Sequence, residues 1–226
     1  MSYISLFHQT LNISVVVQIV TGLFEIFSLF TRVPSNFIII RQLLTLEVIV
    51  QFIEGLFYLW LVFNLKNVTD ITPKRYIDWS ITTPTMLITL VFYLIYSYHR
   101  EKNDTSKLKF FDLLTKNSSN ITNILSLNWL MLIFGYLGEK NIIKTVYGVI
   151  LGFIPFIIYY YIIFINYVKN KEGFNLFLYF FVFWSLYGLA ALLPYYLKNS
   201  CYNILDIFSK NFFGVFLSYI ILSGKY

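Results

Sequence analysis

Apolar runs long enough to cross a lipid bilayer recur along this chain, and they constrain its fold more than any other feature. A hydrocarbon core about 30 Å thick takes roughly 20 apolar residues per helix. Runs of that length lie at 11–31, 37–64, 76–98, 119–138, 142–166, 174–196 and 202–222. Turn chemistry separates them: Pro34-Ser35-Asn36, the Asn64 to Thr72 stretch, Arg100 to Ser119, and Asn170 to Asn175 around Gly173. Only 12% of the 226 residues are charged, against about 25% in soluble domains, so little chain remains for a soluble domain. The sequence predicts an all-α membrane protein: a single seven-transmembrane-helix bundle over residues 1–226, integral and multi-pass in the lipid bilayer.

The net charge of +6 could suggest an anionic partner, but its distribution argues otherwise. Lysines and arginines sit singly or in loops between apolar runs and form no contiguous basic face, so no nucleic-acid partner is expected. As topology signals they are informative. With the N-terminus outside, ten basic residues fall on the inner side (Arg32, Arg41, Arg100, Lys102, Lys107, Lys109, Lys116, Lys169, Lys171, Lys225). Five fall outside (Lys66, Lys74, Lys140, Lys144, Lys198). Cytoplasmic loops carry the excess of Lys and Arg, which predicts N-out, C-in. Sequons at Asn12, Asn67, Asn103, Asn117 and Asn120 lie on both sides and do not discriminate. Met1 to Leu11 lacks a basic start and a cleavage site, so the first helix is expected to be its own insertion signal. The lone Cys201 excludes an intramolecular disulfide and a cysteine-based zinc site, and His8 and His99 are too far apart in sequence to suggest a metal. No nucleophile–base pair or phosphate loop indicates an enzyme. A homo-oligomer stays open, since no interface motif is present.

Two basic residues are left inside the spans, Arg75 and Lys210. A lysine near the middle of a span costs roughly 2.5–3.5 kcal/mol even on the lenient insertion scale, so it needs a partner or a modification. Asp206 stands one turn before Lys210 on the same face, and Arg75, Asp78 and Thr82 share a face of the third span. These four charges sum to zero. They fit either a buried ion-pair cluster or a lysine that forms an imine with an aldehyde cofactor, with the carboxylates as counterions.

The surrounding residues are more specific. The third span reads Arg75-Tyr76-Ile77-Asp78-Trp79-Ser80-Ile81-Thr82-Thr83-Pro84-Thr85, the sixth Trp184-Ser185-Leu186-Tyr187-Gly188, the seventh Asp206-Ile207-Phe208-Ser209-Lys210. In content and order these resemble the microbial (type 1) rhodopsins over the whole chain, and the Thr83 to Leu87 continuation looks closest to the viral rhodopsins of giant viruses, group 1. The resemblance implies all-trans-retinal on Lys210 as a protonated Schiff base, Asp78 as primary counterion and proton acceptor, and Asp206 as second counterion. It implies Arg75 as electrostatic organiser beneath them, Thr82 as hydrogen-bond partner of Asp78, and Tyr76 at the cavity. Trp79 and Trp184 would sandwich the polyene, Tyr187 would bond Asp206, and Thr83, with Asn128 facing it and Met131 nearby, completes the expected cofactor-binding set.

Pumps, channels and sensors share that chemistry. Outward proton pumps carry a carboxylate donor eleven residues after the acceptor, where this chain has Thr89. No acid lies between Leu193 and Asn203, and Gly188 replaces a proline common in relatives. Against those departures, Glu47, Gln51 and Glu54 form a polar stripe on the second span. Ser14, Gln18, Thr21 and Glu25 form another on the first. Polar stripes inside a membrane line either wet paths or interhelical hydrogen bonds. Channelrhodopsins similarly have a glutamate-rich second helix, and the first viral group comprises light-gated cation channels. The expected function is thus a light-gated cation channel with an ion pathway along Glu47, Gln51, Glu54, Ser14, Gln18 and Asn203. Alternatives are a weak light-driven outward proton pump or a non-retinal seven-helix receptor or transporter. A sensor would need a transducer surface, and the tail Ser223 to Tyr226 offers none.

Overall fold

The computed structural model describes residues 2–65, 70–104 and 106–226; the Asn67 sequon and Lys66 lie outside them. Its long helices are α1 (Tyr3–Leu29), α2 (Ile38–Asn64, entered through a 3₁₀ turn at Ser35–Phe37) and α3 (Thr72–Glu101). After a short α4 (Phe110–Lys116) come α5 (Ser118–Glu139), α6 (Thr145–Tyr167) and α7 (Lys171–Ala190). The seventh span is α8 (Tyr195–Asp206), a π-helical turn at Ile207–Asn211, and α9 (Phe212–Ser223). Seven segments are thus long and apolar enough to cross a membrane among the described residues.

Helix faces are inverted relative to a water-soluble bundle. In α1 the buried residues include Thr10, Ser14, Gln18, Glu25 and Ser28, while Ile13, Val16, Ile19, Val20, Leu23 and Phe27 are exposed. The outward face meets lipid, so apolar residues belong there and polar ones turn inward. Helix α3 is the hub, with buried residues on most of its circumference, Met86, Leu87, Leu90, Phe92 and Tyr93 among them.

Pro84 interrupts α3. Proline has no N–H for the carbonyl four residues earlier, which leaves the Ser80 carbonyl free. The Trp129 indole N–H of α5 donates to that carbonyl at 2.9 Å, so the proline break becomes a bond between two spans. Local caps set the ends elsewhere. Ser2 Oγ accepts from Ser5 N and Asn170 Oδ1 from Gly173 N, and α9 stops at Gly224, whose φ of 65° is the left-handed conformation that suits glycine.

Several boundaries differ from the hydropathy reading: the first helix begins at Tyr3 instead of 11, and the third runs Thr72–Glu101 instead of 76–98. The sixth span ends at Ala190 instead of 196, and the seventh begins at Tyr195 instead of 202. Residues 190–197 look continuous in hydropathy, but Pro194 N-caps the next helix, and its turn occupies the apolar run. Lys198, read as a loop cation, therefore lies in α8. It is buried and bridges Glu139 of α5 at 2.6 and 2.8 Å. The fifth span starts at Thr145, after a turn in which Asn141 has φ 56°. Helix α4 had no sequence counterpart, because one buried side chain, Leu113, is its only inward anchor.

Candidate functional site

Lys210 sits in the π-helical turn of the seventh span, 4% exposed, with its Nζ among three carboxyl groups. Asp78 Oδ2 of α3 is 2.6 Å away, Glu54 Oε1 of α2 3.4 Å, and Asp206 Oδ1 of its own span 3.6 Å. A π turn adds a residue to the helical circuit and is found mostly at functional sites. Here it carries Ser209, Lys210 and Asn211 inward together. Glu54 joins the charge cluster itself, whereas the sequence reading had placed it along the ion pathway. Among the described residues Arg75 and Lys210 are the cations of this cluster, and its three carboxyls outnumber them by one.

The carboxyls differ in environment. Asp206 accepts from Tyr58 Oη at 2.7 Å, Arg75 Nη1 at 3.1 Å and Tyr187 Oη at 2.8 Å. Its charge is thereby spread over three donors. Among the described residues Asp78 accepts only from Lys210, and its Oδ1 has no partner. Among the described residues no hydrogen-bond partner meets either oxygen of Glu54. Thr82 does not bond the Asp78 carboxylate; its hydroxyl donates to the Asp78 backbone carbonyl at 3.0 Å, as threonines inside helices often do.

Arg75 is fully buried. Its Nε donates to Asn199 Oδ1 at 3.2 Å and its Nη2 to Asn203 Oδ1, while the rings of Phe57, Tyr58 and Tyr202 lie 5.3–5.8 Å from its Cζ. Asn203 ties in α1: its Nδ2 donates to Thr10 Oγ1 at 3.1 Å, and its backbone carbonyl accepts from Ser14 Oγ at 2.8 Å. Tyr58, Asn199, Ser209 and Asn211 escaped the sequence reading. Tyr58 was recoverable, because it stands four residues after Glu54 on the same face of α2; among 19 tyrosines it did not stand out.

On the other side of Lys210 the polar seam continues. Gln51 Nε2 donates to Gln18 Oε1 at 2.6 Å and to Thr21 Oγ1 at 3.0 Å, and Asn211 Nδ2 donates to Thr21 at 2.6 Å. Beyond them Glu47 and Glu25 are 2% and 1% exposed, and among the described residues none of their oxygens has a hydrogen-bond partner. The two stripes read from the sequence thus meet each other and the seventh span.

Across Lys210 from this seam lies a cavity whose empty space, mouth included, is about 780 Å³. Tyr76, Trp79, Thr83 and Met86 of α3 line it with Met131 of α5, Phe153 and Phe156 of α6, and Trp184 and Tyr187 of α7; Lys210 closes one side. Asn128 is set behind the wall, its Nδ2 donating to Thr83 Oγ1 at 2.8 Å. Gly152 and Gly188 keep the α6 and α7 walls open. A Cβ at Gly188 would come within 2.7 Å of the Phe153 ring. An apolar slot with one buried amine in its wall suits an apolar aldehyde: the amine condenses with it, the slot holds the chain, and the carboxyls balance the resulting cation.

The bacteriorhodopsin-like protein family matches residues 7–224. Among solved structures, the viral rhodopsin OLPVRII is 27% identical with a TM-score of 0.82, covering 98% of this chain and 99% of that one. The blue light-absorbing proteorhodopsin from Med12 (20% identity, TM-score 0.74, 97% and 98% covered) shares the fold. So does the bromide-bound halorhodopsin of Halobacterium salinarum (12%, 0.70, 98% and 96%). No curated protein sequence matches.

Proposed function

Because this chain belongs to the bacteriorhodopsin-like family, whose members are multi-pass membrane proteins that bind retinal as a Schiff base on a lysine and are not enzymes, we propose that it is a light-gated cation channel with Lys210 as that lysine. Bound there, retinal supplies light absorption and an isomerisation that changes the energy of the closed and open states by different amounts, as gating requires.

One observation carries the channel reading: a buried polar seam follows α1, α2, α3 and the seventh span from Thr10 to Glu25 and Glu47. It holds carboxyls that no hydrogen bond satisfies. Carboxylates at constrictions favour cations. In the resting protein Arg75, Tyr58, Asn203 and Asp206 close the seam on one side of Lys210 through five mutual hydrogen bonds. On the other side Gln18, Gln51 and Asn211 close it. A proton leaving Lys210 Nζ is taken by Asp78 Oδ2, the nearest acceptor at 2.6 Å. Loss of that charge pair loosens Arg75 from Asp206, and water enters along Glu54. With the N-terminus outside, the orientation that the distribution of Lys and Arg supports, Asn203 and Arg75 belong to the outer half and Glu47 to the inner constriction.

A light-driven outward proton pump is the second reading. It is favoured by the acceptor on one side of Lys210 and spare carboxyls on the other. Voltage-clamped cells expressing the chain separate the two. The channel gives photocurrents that reverse when the cation gradient is inverted, and Glu54→Gln or Glu47→Gln changes the reversal potential or the current size. Currents that keep one direction at every voltage overturn it in favour of the pump.

A further inference from the structure

Asn199, Tyr202, Asn203 and Asp206 stand at i, i+3, i+4 and i+7 on one face of α8, and each is at most 1% exposed. Three of them take the edges of one guanidinium: Arg75 donates its Nε to Asn199, its Nη2 to Asn203 and its Nη1 to Asp206. A guanidinium is planar and its donors point outward in that plane, so its faces are left for aromatic rings. Tyr202 supplies one, with the Arg75 Cζ 5.8 Å from its centroid.

The same ring reaches the cavity. Tyr202 is part of the cavity wall, the Trp79 indole meets it edge-on at 5.1 Å and 89°, and Tyr187 lies nearly parallel to it at 5.7 Å and 18°. The Trp79 indole is held by packing: among the described residues its Nε1 has no hydrogen-bond partner, while Tyr76 and Tyr187 meet its ring edge-on at 4.9 and 5.5 Å. Nothing polar anchors this indole, so it can tilt when the cavity's contents change shape. Tyr202 therefore touches both a movable wall of the cavity and the cation that secures Asp206.

We propose that Tyr202 is a positioning residue that passes a displacement of Trp79 to Arg75. The proposal rests on Lys210 carrying retinal, but not on whether the chain conducts or pumps. A close-packed interior does not absorb a moved side chain locally; its neighbours move with it. When retinal changes shape Trp79 tilts, the Tyr202 ring follows, and the guanidinium shifts on that ring relative to Asp206. Arg75 thus answers to two inputs. One is the charge of the Lys210–Asp78 pair, which is lost only when the proton leaves Nζ. The other is the shape of the chromophore, which acts earlier because isomerisation precedes proton departure. Shape alone biases Arg75, because the ring contacts differ between the two isomers.

Time-resolved infrared difference spectra of the full chain with all-trans-retinal test this. The chain has four arginines, and the guanidinium C–N bands that shift with labelled arginine and vanish in Arg75→Lys belong to Arg75. In the wild type these bands should appear before the loss of visible absorption that marks departure of the Nζ proton. Asp78→Asn slows that departure yet should keep the early Arg75 bands. Tyr202→Leu should delay them until the proton leaves, and combining it with Asp78→Asn should abolish the early bands altogether. All the contacts named above are made by the ring, so Tyr202→Phe should keep the wild-type timing, which a role of the hydroxyl would not allow. Early bands missing from Asp78→Asn, early bands unchanged in Tyr202→Leu, or a Tyr202→Phe protein that behaves like Tyr202→Leu each overturn the proposal. If Tyr202→Leu does not load retinal, Tyr202→Met takes its place, and the timing in the wild type and in Asp78→Asn still decides whether shape moves Arg75. Absence of a visible band in the wild type instead sinks the retinal reading beneath it.

Discussion

Lys210 Nζ lies 2.6 Å from Asp78 Oδ2 on a neighbouring helix and 3.6 Å from Asp206 Oδ1 in its own span. The sequence spacing made Asp206 the obvious partner, one turn away; the tertiary fold makes Asp78 the closer one. Asp206 is instead committed to Tyr58, Arg75 and Tyr187. The two aspartates should therefore fail differently. Asp78→Asn removes the free acceptor, shifts the absorption band to the red and slows proton departure from Nζ by about 10²-fold or more, read by flash photolysis. Asp206→Asn leaves Arg75 buried without its anion, and its main effect is on thermal bleaching, at a cost of about 3–5 kcal/mol. Equal spectral and kinetic effects of the two substitutions would refute this division of labour.

The α6–α7 side of the cavity gives a steric test. A Cβ at Gly188 would lie 2.7 Å from Phe153, while one at Gly152 would lie 3.4 Å from the Met131 carbonyl. Gly188→Ala forces Phe153 aside and should lower the thermal stability of the retinal-loaded protein by about 1–3 kcal/mol, the usual cost of overpacking. Gly152→Ala should cost less. Bleaching temperatures of the two variants in the same detergent check the order, and a reversed order shows that Phe153 moves freely.

Trp129 answers the gap left by Pro84. Its indole N–H donates to the Ser80 carbonyl at 2.9 Å on the lipid-facing side, where no water substitutes. Trp129→Phe should destabilise by about 1–3 kcal/mol, the penalty for an unsatisfied carbonyl. Pro84→Ala restores an N–H four residues after Ser80, so in that background Trp129→Phe should cost clearly less. A double-mutant cycle with additive effects would show that the indole bond contributes nothing specific.

The sequence carried the spans and the charge cluster for a common reason: lipid makes each buried charge costly, so Arg75, Asp78, Asp206 and Lys210 stand out from an apolar background. Asn128 facing Thr83 and Tyr187 reaching Asp206 were likewise legible, because motif position fixes both. Glu54 was seen as part of a polar stripe, but its contact with Lys210 was not. Periodicity put it on a polar face, yet only the packing of α2 against the π turn brings it to Lys210. Tyr58 and Asn199 were lost because tyrosine and asparagine at membrane depth give no signal until their partners are known. The turn at Ala191–Pro194 was lost because hydropathy does not register a helix end made of apolar residues.

That last error concealed a buried ion pair. Lys198 of α8 and Glu139 of α5 have side chains 9% and 7% exposed and meet at 2.6 Å, fastening the seventh span to the fourth. Breaking such a pair from one side strands a charge, whereas replacing both partners with apolar residues is often neutral. Lys198→Met should therefore destabilise by about 3 kcal/mol, with Glu139→Leu similar, while the double replacement returns most of the loss. Thermal bleaching of the three variants reads this directly. Two single losses that simply add in the double variant would mean that water already solvates both groups and that the contact does not hold the spans together.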